Sequence, residues 1–254
     1  MPQKDHRNHL KDKVAVVTGG TRGIGRAIAE RLLGEGAYVA LCGTRQKSVD
    51  DAVAALSTRG RVFGMVADVS KVGDVHRFIS GAHAEFGALH ILVNNAGAGA
   101  FANIAQLTPE TWDKMIALNL SGVHYCCHEV MPIFKLAGGG DVVNIGSLAG
   151  VNAFAGGAGY NASKFGLVGY SEAMMLDHRD DGVRVSLIMP GSVDTEFGIS
   201  DSGSESTRQS GELKHAWKIA PEDIADIVVS VLKMPGRTTV SRVEVRPSRP
   251  PRKT

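Results

Sequence analysis

An uninterrupted apolar run that leads straight into a glycine-rich turn constrains the fold of this chain more than any other feature. Residues 14–17 (Val-Ala-Val-Val) indicate a strand that is buried on both faces. Residues 18–25 then read Thr-Gly-Gly-Thr-Arg-Gly-Ile-Gly, and residues 26–33 have a helical pattern. Glycine lets the backbone turn sharply, and the N-terminus of a following helix offers free N–H groups to a phosphate. Strand, turn and helix together predict a nucleotide-binding site.

The rest of the chain alternates between predicted strands and predicted helices. This alternation indicates right-handed βαβ units, so we predict a Rossmann-like, doubly wound α/β fold with helices on both faces of a parallel sheet, in three layers. We expect a polar lead at residues 1–12, a single domain at 13–245 with a flexible substrate lid near 195–217, and a basic, proline-rich tail at 246–254. The predicted strands are 14–17, 38–42, 62–67, 89–93, a run ending at Ser147, 183–189 and 240–245; the predicted helices are 26–33, 46–59, 71–86, one from Thr108 past Cys127, one through Tyr160 to about His178, and 221–232.

The composition is that of an ordinary globular protein, with a formal net charge of +2 over 254 residues. Basic residues concentrate only in the tail, which either touches phosphates or a membrane surface or is a solvated, extended terminus. Cys42, Cys126 and Cys127 lack the spacing of a disulfide framework or a metal site, so we expect reduced core thiols. No apolar run approaches membrane-spanning length. We therefore expect a cytoplasmic protein that binds no metal, nucleic acid or membrane.

Tyr160 and Lys164 stand one helical turn apart in Tyr-Asn-Ala-Ser-Lys, so both can face the same pocket. A free tyrosine has a pKa of about 10 and is a poor acid at neutral pH. We expect the nearby lysine charge to lower that pKa toward the range of a proton-transfer catalyst. Ser147 could hydrogen-bond a substrate oxygen while Tyr160 moves the proton. The alternative is a solvated tyrosine and lysine on a helix surface.

The end of the second predicted strand carries Gly43, Thr44 and Arg45. An acidic residue there would bind a ribose 2′-hydroxyl and repel a 2′-phosphate, and none is present. Arg22, in the glycine-rich turn, adds a second cation that could reach the same phosphate. The sequence therefore favours NADP(H) over NAD(H), unless both arginines are ordinary surface charges.

Three further polar positions each have two interpretations. Asp68, at the end of the third strand, either accepts a hydrogen bond from an adenine amino group or caps the next helix. Residues 94–97 (Asn-Asn-Ala-Gly) would leave room for a flat cofactor, and their amide side chains can join neighbouring strands. Asn119, in an otherwise apolar helix, makes a kink or a core hydrogen bond, or takes part in the site.

These motifs occur in the order and spacing of the short-chain dehydrogenase/reductase family, which the chain resembles over roughly residues 11–245. The resemblance implies a seven-stranded parallel sheet, a homotetramer or homodimer, and hydride transfer between the nicotinamide and a carbonyl carbon without a metal. Residues 43–45 are similar to those of 3-oxoacyl-carrier-protein reductases, whereas the C-terminal end resembles hydroxy-acid and carbonyl reductases. The matching motifs are Thr18-Gly19-x-x-x-Gly23-x-Gly25, Asn94-Asn95-Ala96-Gly97, Asn119, Ser147, Tyr160-x-x-x-Lys164 and Pro190-Gly191.

The resemblance also implies a role for individual residues. Tyr160 is the general acid/base, Lys164 lowers its pKa and holds the nicotinamide ribose, and Ser147 positions the substrate oxygen. Asn119 holds a water in a proton relay through Lys164. Asp68 and Val69 lie at the adenine, and Val193 and Thr195 lie against the nicotinamide. The expected cofactor-binding residues are Gly19, Thr21, Arg22, Gly23, Ile24, Gly25, Arg45, Asp68, Val69, Asn95, Ala96, Gly97, Tyr160, Lys164, Pro190, Gly191, Val193 and Thr195.

Residues and resemblance together predict an NADP(H)-dependent oxidoreductase that reduces a ketone or 3-oxo group of a small molecule, or oxidises the matching secondary alcohol. One alternative is an NAD-dependent alcohol or hydroxy-acid dehydrogenase of the same family. Another is a non-catalytic sensor of nicotinamide dinucleotides, although a sensor has no reason to retain the four catalytic positions at working spacing.

Overall fold

The computed structural model describes residues 10–197 and 217–249. These residues form one parallel sheet with helices packed on it. Its seven strands are β1 (Val14–Val17), β2 (Tyr38–Gly43), β3 (Val62–Val66), β4 (Ile91–Asn94), β5 (Gly140–Ile145), β6 (Val183–Pro190) and β7 (Arg242–Val245). Their order across the sheet is β3-β2-β1-β4-β5-β6-β7. The chain therefore winds one way from β1 and the other way from β4, which confirms the predicted doubly wound fold.

Helices connect the strands and cover both faces of the sheet. They are α1 (Gly23–Gly34), α2 (Gln46–Leu56), α3 (Val72–Phe86), α4 (Pro109–Ile116), α5 (Gly122–Leu136), α6 (Ala158–His178) and α7 (Pro221–Leu232). Buried residues of α1, α2 and α7 share one hydrophobic cluster, and those of α3, α5 and α6 share a second. The sheet separates the two clusters, so the fold has the predicted three layers.

Strand β1 shows why the first apolar run was so informative. Ala15 and Val17 belong to one hydrophobic cluster, while Val14 and Val16 belong to the other. Successive strand residues point to opposite faces, so a strand covered by helices on both sides must be apolar at every position. The glycine-rich turn is thereby fixed to the centre of the sheet, where β1 and β4 are neighbours and the winding direction changes.

The long helix predicted from Thr108 past Cys127 is helical throughout but not uniform. Thr108 caps α4 by accepting a hydrogen bond from the Thr111 N–H at 3.3 Å, as the Thr-Pro-Glu pattern predicts. A π-helical turn, Ala117–Ser121, then separates α4 from α5. This wider turn surrounds Asn119, and sequence periodicity did not indicate it.

The boundaries of the packed body differ slightly from expectation. Leu10, which we had assigned to the polar lead, is 3% exposed and packs in the cluster of α1 and α7. Most of the predicted lid, residues 198–216, and the end of the tail, residues 250–254, lie outside the described residues. The lid and the tail therefore stay predictions.

Candidate active site

The predicted catalytic and cofactor-binding residues meet at the carboxyl edge of the sheet. The glycine-rich turn follows β1, residues 95–97 follow β4, Ser147 follows β5, and the Pro190–Gly191 step ends β6. In open parallel sheets ligands bind in the crevice at this edge, where the winding direction reverses. The topology thus brings together segments that are up to 173 residues apart in the chain, from Thr18 to Gly191.

The glycine-rich turn can form only with glycine at particular positions. Gly19 and Gly23 have φ angles of +62° and +54°, in the left-handed region that side chains disfavour. A Cβ atom on Gly25 would overlap the Gly19 carbonyl oxygen and the Asn95 amide. Helix α1 begins within this turn, at Gly23, with no side-chain cap and no acidic residue in its first turn. Its free N–H groups fit an anionic ligand such as a phosphate.

Asn95 shapes the glycine-rich turn from the neighbouring strand. Its Nδ2 donates to the main-chain oxygens of Thr18 and Gly19, at 3.0 and 3.1 Å. The Thr18 hydroxyl in turn accepts the N–H groups of Asn95 and Ala96, both at 3.0 Å. These bonds join the loops after β1 and β4 into one rigid floor. The visible role of the Asn95 amide group is therefore to hold the turn.

Asn94 joins two strands, as we predicted for this motif. It pairs with Asn144 in the register of β4 and β5, and its Nδ2 donates to Asn144 Oδ1 at 2.9 Å. Asn144 then donates to the Ser171 hydroxyl at 2.9 Å. All three side chains are buried, and these bonds satisfy polar groups that would otherwise be costly to bury, although Asn94 Oδ1 has no partner among the described residues. The chain of bonds fixes α6 to the sheet.

Tyr160 lies in the first turn of α6 with its ring 8% exposed. Burial raises the pKa of the phenol above its ordinary value, and a hydrogen bond with the Ser147 side chain acts in the opposite direction. Removal from water outweighs this hydrogen bond, so the net shift is upward, and the lowering that we expected from Lys164 is not among its causes. At neutral pH the phenol is therefore protonated.

Lys164 is almost completely buried, one turn along α6 from Tyr160. Its Nζ donates to the Ile145 main-chain oxygen at 3.0 Å and lies 5.8 Å from the centre of the Tyr160 ring. Burial lowers the pKa of this lysine to about 8. The group is still largely charged at pH 7, so a cation stands behind the phenol ring.

Asn119 holds the loop after β4 against α6. Its Oδ1 accepts from the Ala98 N–H at 2.9 Å, and its Nδ2 donates to the Ala98 oxygen at 2.9 Å and to the Ser163 hydroxyl at 3.0 Å. A Cβ atom on Gly97 would lie 3.1 Å from Asn119 Oδ1 and 3.9 Å from Lys164 Nζ. Both amide hydrogens are used, so only an oxygen of Asn119 could accept from a water.

The two arginines expected at a 2′-phosphate have different surroundings. The loops that carry them touch, since a Cβ atom on Gly43 would lie 2.8 Å from the Thr21 methyl group. Arg45 is exposed and precedes α2, which like α1 has no side-chain cap. Arg22 instead forms an ion pair with Glu196, a carboxylate that sequence reasoning did not single out.

Asp68 stabilises its own turn, and Val69 is buried. Asp68 Oδ1 accepts from the Ser70 N–H at 3.1 Å and from the Ser70 hydroxyl at 2.7 Å. Helix α3 begins at Val72 after Lys71, so Asp68 closes the turn before the helix and does not cap it. Val69 is 4% exposed and packs on Gly122, where a Cβ atom would lie 2.8 Å from the Val69 oxygen. A contact of either residue with adenine stays a prediction.

The segment after β6 folds back over the glycine-rich turn. Val193 forms a parallel bridge with Ile219, and the Asp194 N–H donates to the Ile219 oxygen at 2.9 Å. Thr195 then approaches Gly23, since a Cβ atom on Gly23 would lie 3.3 Å from the Thr195 methyl group. This contact puts Thr195 at the expected cofactor cleft.

Comparison with known proteins agrees with this arrangement. The sequence profile described as short chain dehydrogenase matches residues 13–205. The chain belongs to this family. Short-chain dehydrogenases act as oxidoreductases on alcohol or carbonyl groups, and the protein is an enzyme of this class.

Similar short-chain dehydrogenases include both curated proteins and solved structures. Dehydrogenase/reductase SDR family member 4 of Oryctolagus cuniculus is 36% identical over 228 residues, which cover 87% of each chain. The crystal structure of a metagenomic short-chain oxidoreductase in complex with NADP has a TM-score of 0.80 at 33% identity and covers 95% of this chain and all of that one. An alcohol dehydrogenase of Thermococcus sibiricus, complexed with 5-hydroxy-NADP, has a TM-score of 0.84 at 30% identity, covering 96% and 100% of the two chains.

The described residues of this short-chain dehydrogenase form neither a metal site nor a membrane-spanning helix. Residues 10–197 and 217–249 contain no group of three or more His, Cys, Asp or Glu side chains arranged to hold a metal ion. Within the same residues, no helix combines the length and apolarity needed to cross a membrane. The three cysteines are free and buried, and burial raises the pKa of Cys42 and Cys127 to about 12.

Sequence reasoning missed an aromatic cluster beside the Tyr160 ring of this dehydrogenase. The ring centroids of Phe101 and Phe197 lie 5.7 and 5.6 Å from that of Tyr160, and Phe154 lies 5.7 Å from Phe101. The signal was available in part, because Phe101 and Phe154 stand in short runs of small residues where the ligand pocket was expected. Only the fold shows that Phe101 and Phe197 pack on the Tyr160 ring and that Phe154 packs on Phe101.

Proposed function

We propose that the protein is an NADPH-dependent reductase of ketones or 3-oxo groups, which also oxidises the matching secondary alcohols. The observation that carries the proposal is the position of the Tyr160 phenol, buried beside the Ser147 hydroxyl and the Lys164 ammonium group. A protonated acid is the form required to donate a proton to a carbonyl oxygen that becomes an alcohol. The raised pKa of Tyr160 therefore favours reduction at neutral pH and alcohol oxidation at alkaline pH.

In this mechanism each side chain acts on the substrate oxygen or on its neighbour. Ser147 donates a hydrogen bond to the substrate carbonyl and holds it beside the Tyr160 hydroxyl. A bound nicotinamide dinucleotide supplies the hydride. Tyr160 gives its proton to the oxygen as negative charge develops there, and the charge of Lys164 stabilises the resulting phenolate. An oxygen of Asn119 accepts a hydrogen bond from a water molecule, and this water returns a proton to Tyr160 through Lys164.

The residues at the carboxyl edge fit the diphosphate and the 2′-phosphate of NADP. The uncapped N-terminus of α1 and the close-packed glycine turn leave backbone N–H groups for the diphosphate. Arg45 offers an exposed cation beside the end of β2, where no acid would repel a 2′-phosphate. Two structural relatives were solved with NADP or 5-hydroxy-NADP, which further supports the assignment.

The remaining proposed contacts follow the same edge. We assign the floor of the cofactor cleft to the turn after β1 and the loop after β4, and its adenine end to the turn after β3. We assign the nicotinamide end of the cleft to the segment after β6. We also propose that the enzyme assembles as a homodimer or homotetramer in the cytoplasm. The proposed cofactor contacts are Gly19, Thr21, Arg22, Gly23, Ile24, Gly25, Arg45, Asp68, Val69, Asn95, Ala96, Gly97, Tyr160, Lys164, Pro190, Gly191, Val193 and Thr195.

One observation favours a second candidate, an NAD-dependent alcohol or hydroxy-acid dehydrogenase. Glu196 pairs with Arg22, so one of the two expected phosphate ligands is already neutralised by a carboxylate. A 2′-phosphate would have to displace Glu196 or bind with Arg45 alone, whereas a 2′-hydroxyl would not face this competition.

Cofactor titration followed by a ketone screen tests the proposal. The purified protein is titrated with NADPH and with NADH, and nicotinamide fluorescence reports binding. We expect tighter binding of NADPH and oxidation of NADPH when ketones are added at pH 7. Tighter binding of NADH would select the second candidate, and turnover of no ketone or alcohol with either cofactor would refute both.

A further inference from the structure

We propose that the substrate is an uncharged ketone with an aromatic or similarly bulky apolar group, which packs on the rings of Phe101, Phe154 and Phe197. We call these three side chains the phenylalanine cluster. The inference rests on the proposed function, since it names the substrate class of that site. It assigns specificity to residues that no sequence motif identified.

The cluster touches the catalytic phenol directly. Phe101 meets the Tyr160 ring edge to face, at 82° with centroids 5.7 Å apart, and Phe197 meets the same ring at 53° and 5.6 Å. Phe154 extends the cluster outward through Phe101. A carbonyl held at the Tyr160 hydroxyl would therefore have an aromatic surface next to its substituents.

The three phenylalanine side chains are unusually exposed to solvent for apolar residues. Phe101, Phe154 and Phe197 are 53%, 47% and 45% exposed, although each ring packs on another. Isolated apolar side chains on a surface need no explanation, but adjacent ones beside a catalytic group indicate a binding site. A bulky apolar ligand would remove the free ring faces from water, and aromatic ligands gain further from edge and offset contacts.

The two loops that carry Phe101 and Phe154 contain no charge. Residues 98–104 and 148–157 hold only apolar, glycine and asparagine side chains. The segment that carries Phe197 contains two carboxylates, and both are paired with cations: Glu196 with Arg22 and Asp194 with Lys218. An ionised substituent on the substrate would find no counter-ion on these loops, so desolvating it would oppose binding.

Hydrogen bonds hold the two loops in position before any ligand binds. The Ala102 N–H donates to the Gly156 oxygen at 2.9 Å and joins one loop to the other. Asn161 on α6 donates to the main-chain oxygens of Ala149 and Asn152, at 2.7 and 3.1 Å. A surface fixed in advance loses little conformational entropy on binding. The cluster is therefore suited to select ligands by shape.

The test compares three ketones and three forms of the enzyme. The ketones are acetophenone, the small aliphatic 2-butanone and the charged 4-acetylbenzoate; the enzymes are wild type, Phe154→Ala and Phe165→Ala. Phe154 has no ring contact with Tyr160 among the described residues, so its removal leaves the catalytic phenol packed. Phe165 is a matched control, 46% exposed on α6 and outside the cluster.

We expect wild type to have the highest kcat/KM for acetophenone and the lowest for 4-acetylbenzoate. Phe154→Ala should raise KM for acetophenone about 3- to 10-fold while kcat and the KM for 2-butanone change less than about 2-fold. Phe165→Ala should match wild type. Circular-dichroism melting and size-exclusion chromatography establish that all three forms have the same fold and assembly.

Other outcomes separate the inference from the proposed function. Reduction of 2-butanone or 4-acetylbenzoate as efficiently as acetophenone would overturn the inference while the reductase assignment stands. If no ketone is reduced with either cofactor, the reductase assignment fails, and saturation-transfer NMR with acetophenone decides the inference. Binding that Phe154→Ala weakens and Phe165→Ala does not would support the cluster as a site for apolar ligands. Absence of acetophenone binding, or binding that Phe154→Ala leaves unchanged, would refute the inference.

Discussion

The inside of the site and its rim are built differently. The interior is formed by the proposed catalytic residues Asn119, Ser147, Tyr160 and Lys164, and the rim by Arg22, Arg45, Glu196 and the phenylalanine cluster. In the interior, Asn119, Tyr160 and Lys164 are at most 8% exposed, and Asn119 and Lys164 bond to main-chain atoms of neighbouring segments. In the rim, Arg22 and Glu196 are 60% and 72% exposed and bond mainly to each other.

This difference assigns separate tasks to the two regions. Interior groups are held by the same packing and hydrogen bonds that hold the sheet, so their geometry cannot change without loss of the fold. Rim side chains are largely exposed, so they can be replaced without loss of the fold and alter which cofactor or substrate binds. Substitutions in the interior should therefore affect kcat, and substitutions in the rim should affect binding.

The largest effect is expected for Tyr160→Phe. This variant keeps the ring and its packing but removes the only proton that the mechanism transfers directly to the substrate. We expect kcat for ketone reduction to fall about 10²- to 10⁴-fold, while the dissociation constant for NADPH changes less than about 2-fold. Steady-state kinetics and fluorescence titration measure the two quantities.

Tyr170→Phe is the matched control, because Tyr170 lies on the same helix and its hydroxyl faces His124 at 3.4 Å. We expect this variant to retain activity. Wild-type turnover in Tyr160→Phe would show that another group donates the proton, and the division between interior and rim would lose its main support.

The second effect concerns the rim, where Arg45→Asp replaces a cation with an anion beside the proposed 2′-phosphate. We expect NADPH to bind about 10- to 100-fold more weakly, since a charge-assisted hydrogen bond is lost and repulsion is added. NADH should bind as before or more tightly, and kcat at saturating cofactor should be unchanged. Equilibrium titrations with both cofactors measure the preference.

Arg59→Asp makes the same change of charge beyond the far end of α2, at the opposite edge of the sheet. It should leave the preference between cofactors unaltered. An unchanged NADPH to NADH ratio in Arg45→Asp would show that Arg45 does not bind the phosphate. Equal shifts in both arginine variants would mean that only the total charge matters.

The fold was predictable because its signals are local. Buried parallel strands must be apolar at every position, and helices between them follow from periodicity, so α7 was predicted with the observed bounds, Pro221–Leu232. The π-helical turn at Asn119 was not predictable. It accompanies hydrogen bonds from Asn119 to Ala98 and Ser163, which only the assembled fold brings together.

The candidate site also has a part that the sequence predicts and a part that only the assembled fold shows. Its motif residues could be located from sequence, because glycine turns and the Tyr160–Lys164 spacing have direct physical meanings. The direction of the Tyr160 pKa shift could not be predicted from sequence, because this pKa depends on burial by loops that are distant in the chain. The pair of Arg22 and Glu196 was equally hidden, since 174 residues separate its partners.

The third effect tests the interior through pH. Burial lowers the pKa of Lys164 from 10.5 to about 8. Below pH 8 the lysine is charged in both the folded and the unfolded states. Between about pH 8 and pH 10.5 only the unfolded state stays protonated, so the folded state gains stability as pH rises. Lys164→Met is neutral at every pH and lacks this gain.

We therefore expect the free energy of unfolding of wild type, minus that of Lys164→Met, to increase by about 1 kcal/mol from pH 7 to pH 9. Urea unfolding of both proteins at the two pH values measures it, and taking the difference cancels the titration of all shared groups. A difference that stays constant with pH would mean that Lys164 is hydrated in the native protein, and the interior would be more open than its packing indicates.

The smallest effect is expected for Glu196→Gln, which keeps the shape of the rim but removes the carboxylate that pairs with Arg22. Because exposed ion pairs are weak, freeing Arg22 should tighten NADPH binding only about 2- to 5-fold, with a larger gain at low salt. NADH lacks the 2′-phosphate and should bind unchanged.

Glu85→Gln removes the same charge at the C-terminal end of α3, on the opposite edge of the sheet, and should affect neither cofactor. Titrations of the three proteins at low and at physiological salt make the comparison. If Glu196→Gln tightens NADPH and NADH equally, Glu196 repels the diphosphate that both share, and Arg22 does not read the 2′-phosphate. If it changes neither, the Arg22–Glu196 pair persists beside the bound cofactor, and discrimination between the two cofactors falls to Arg45 alone.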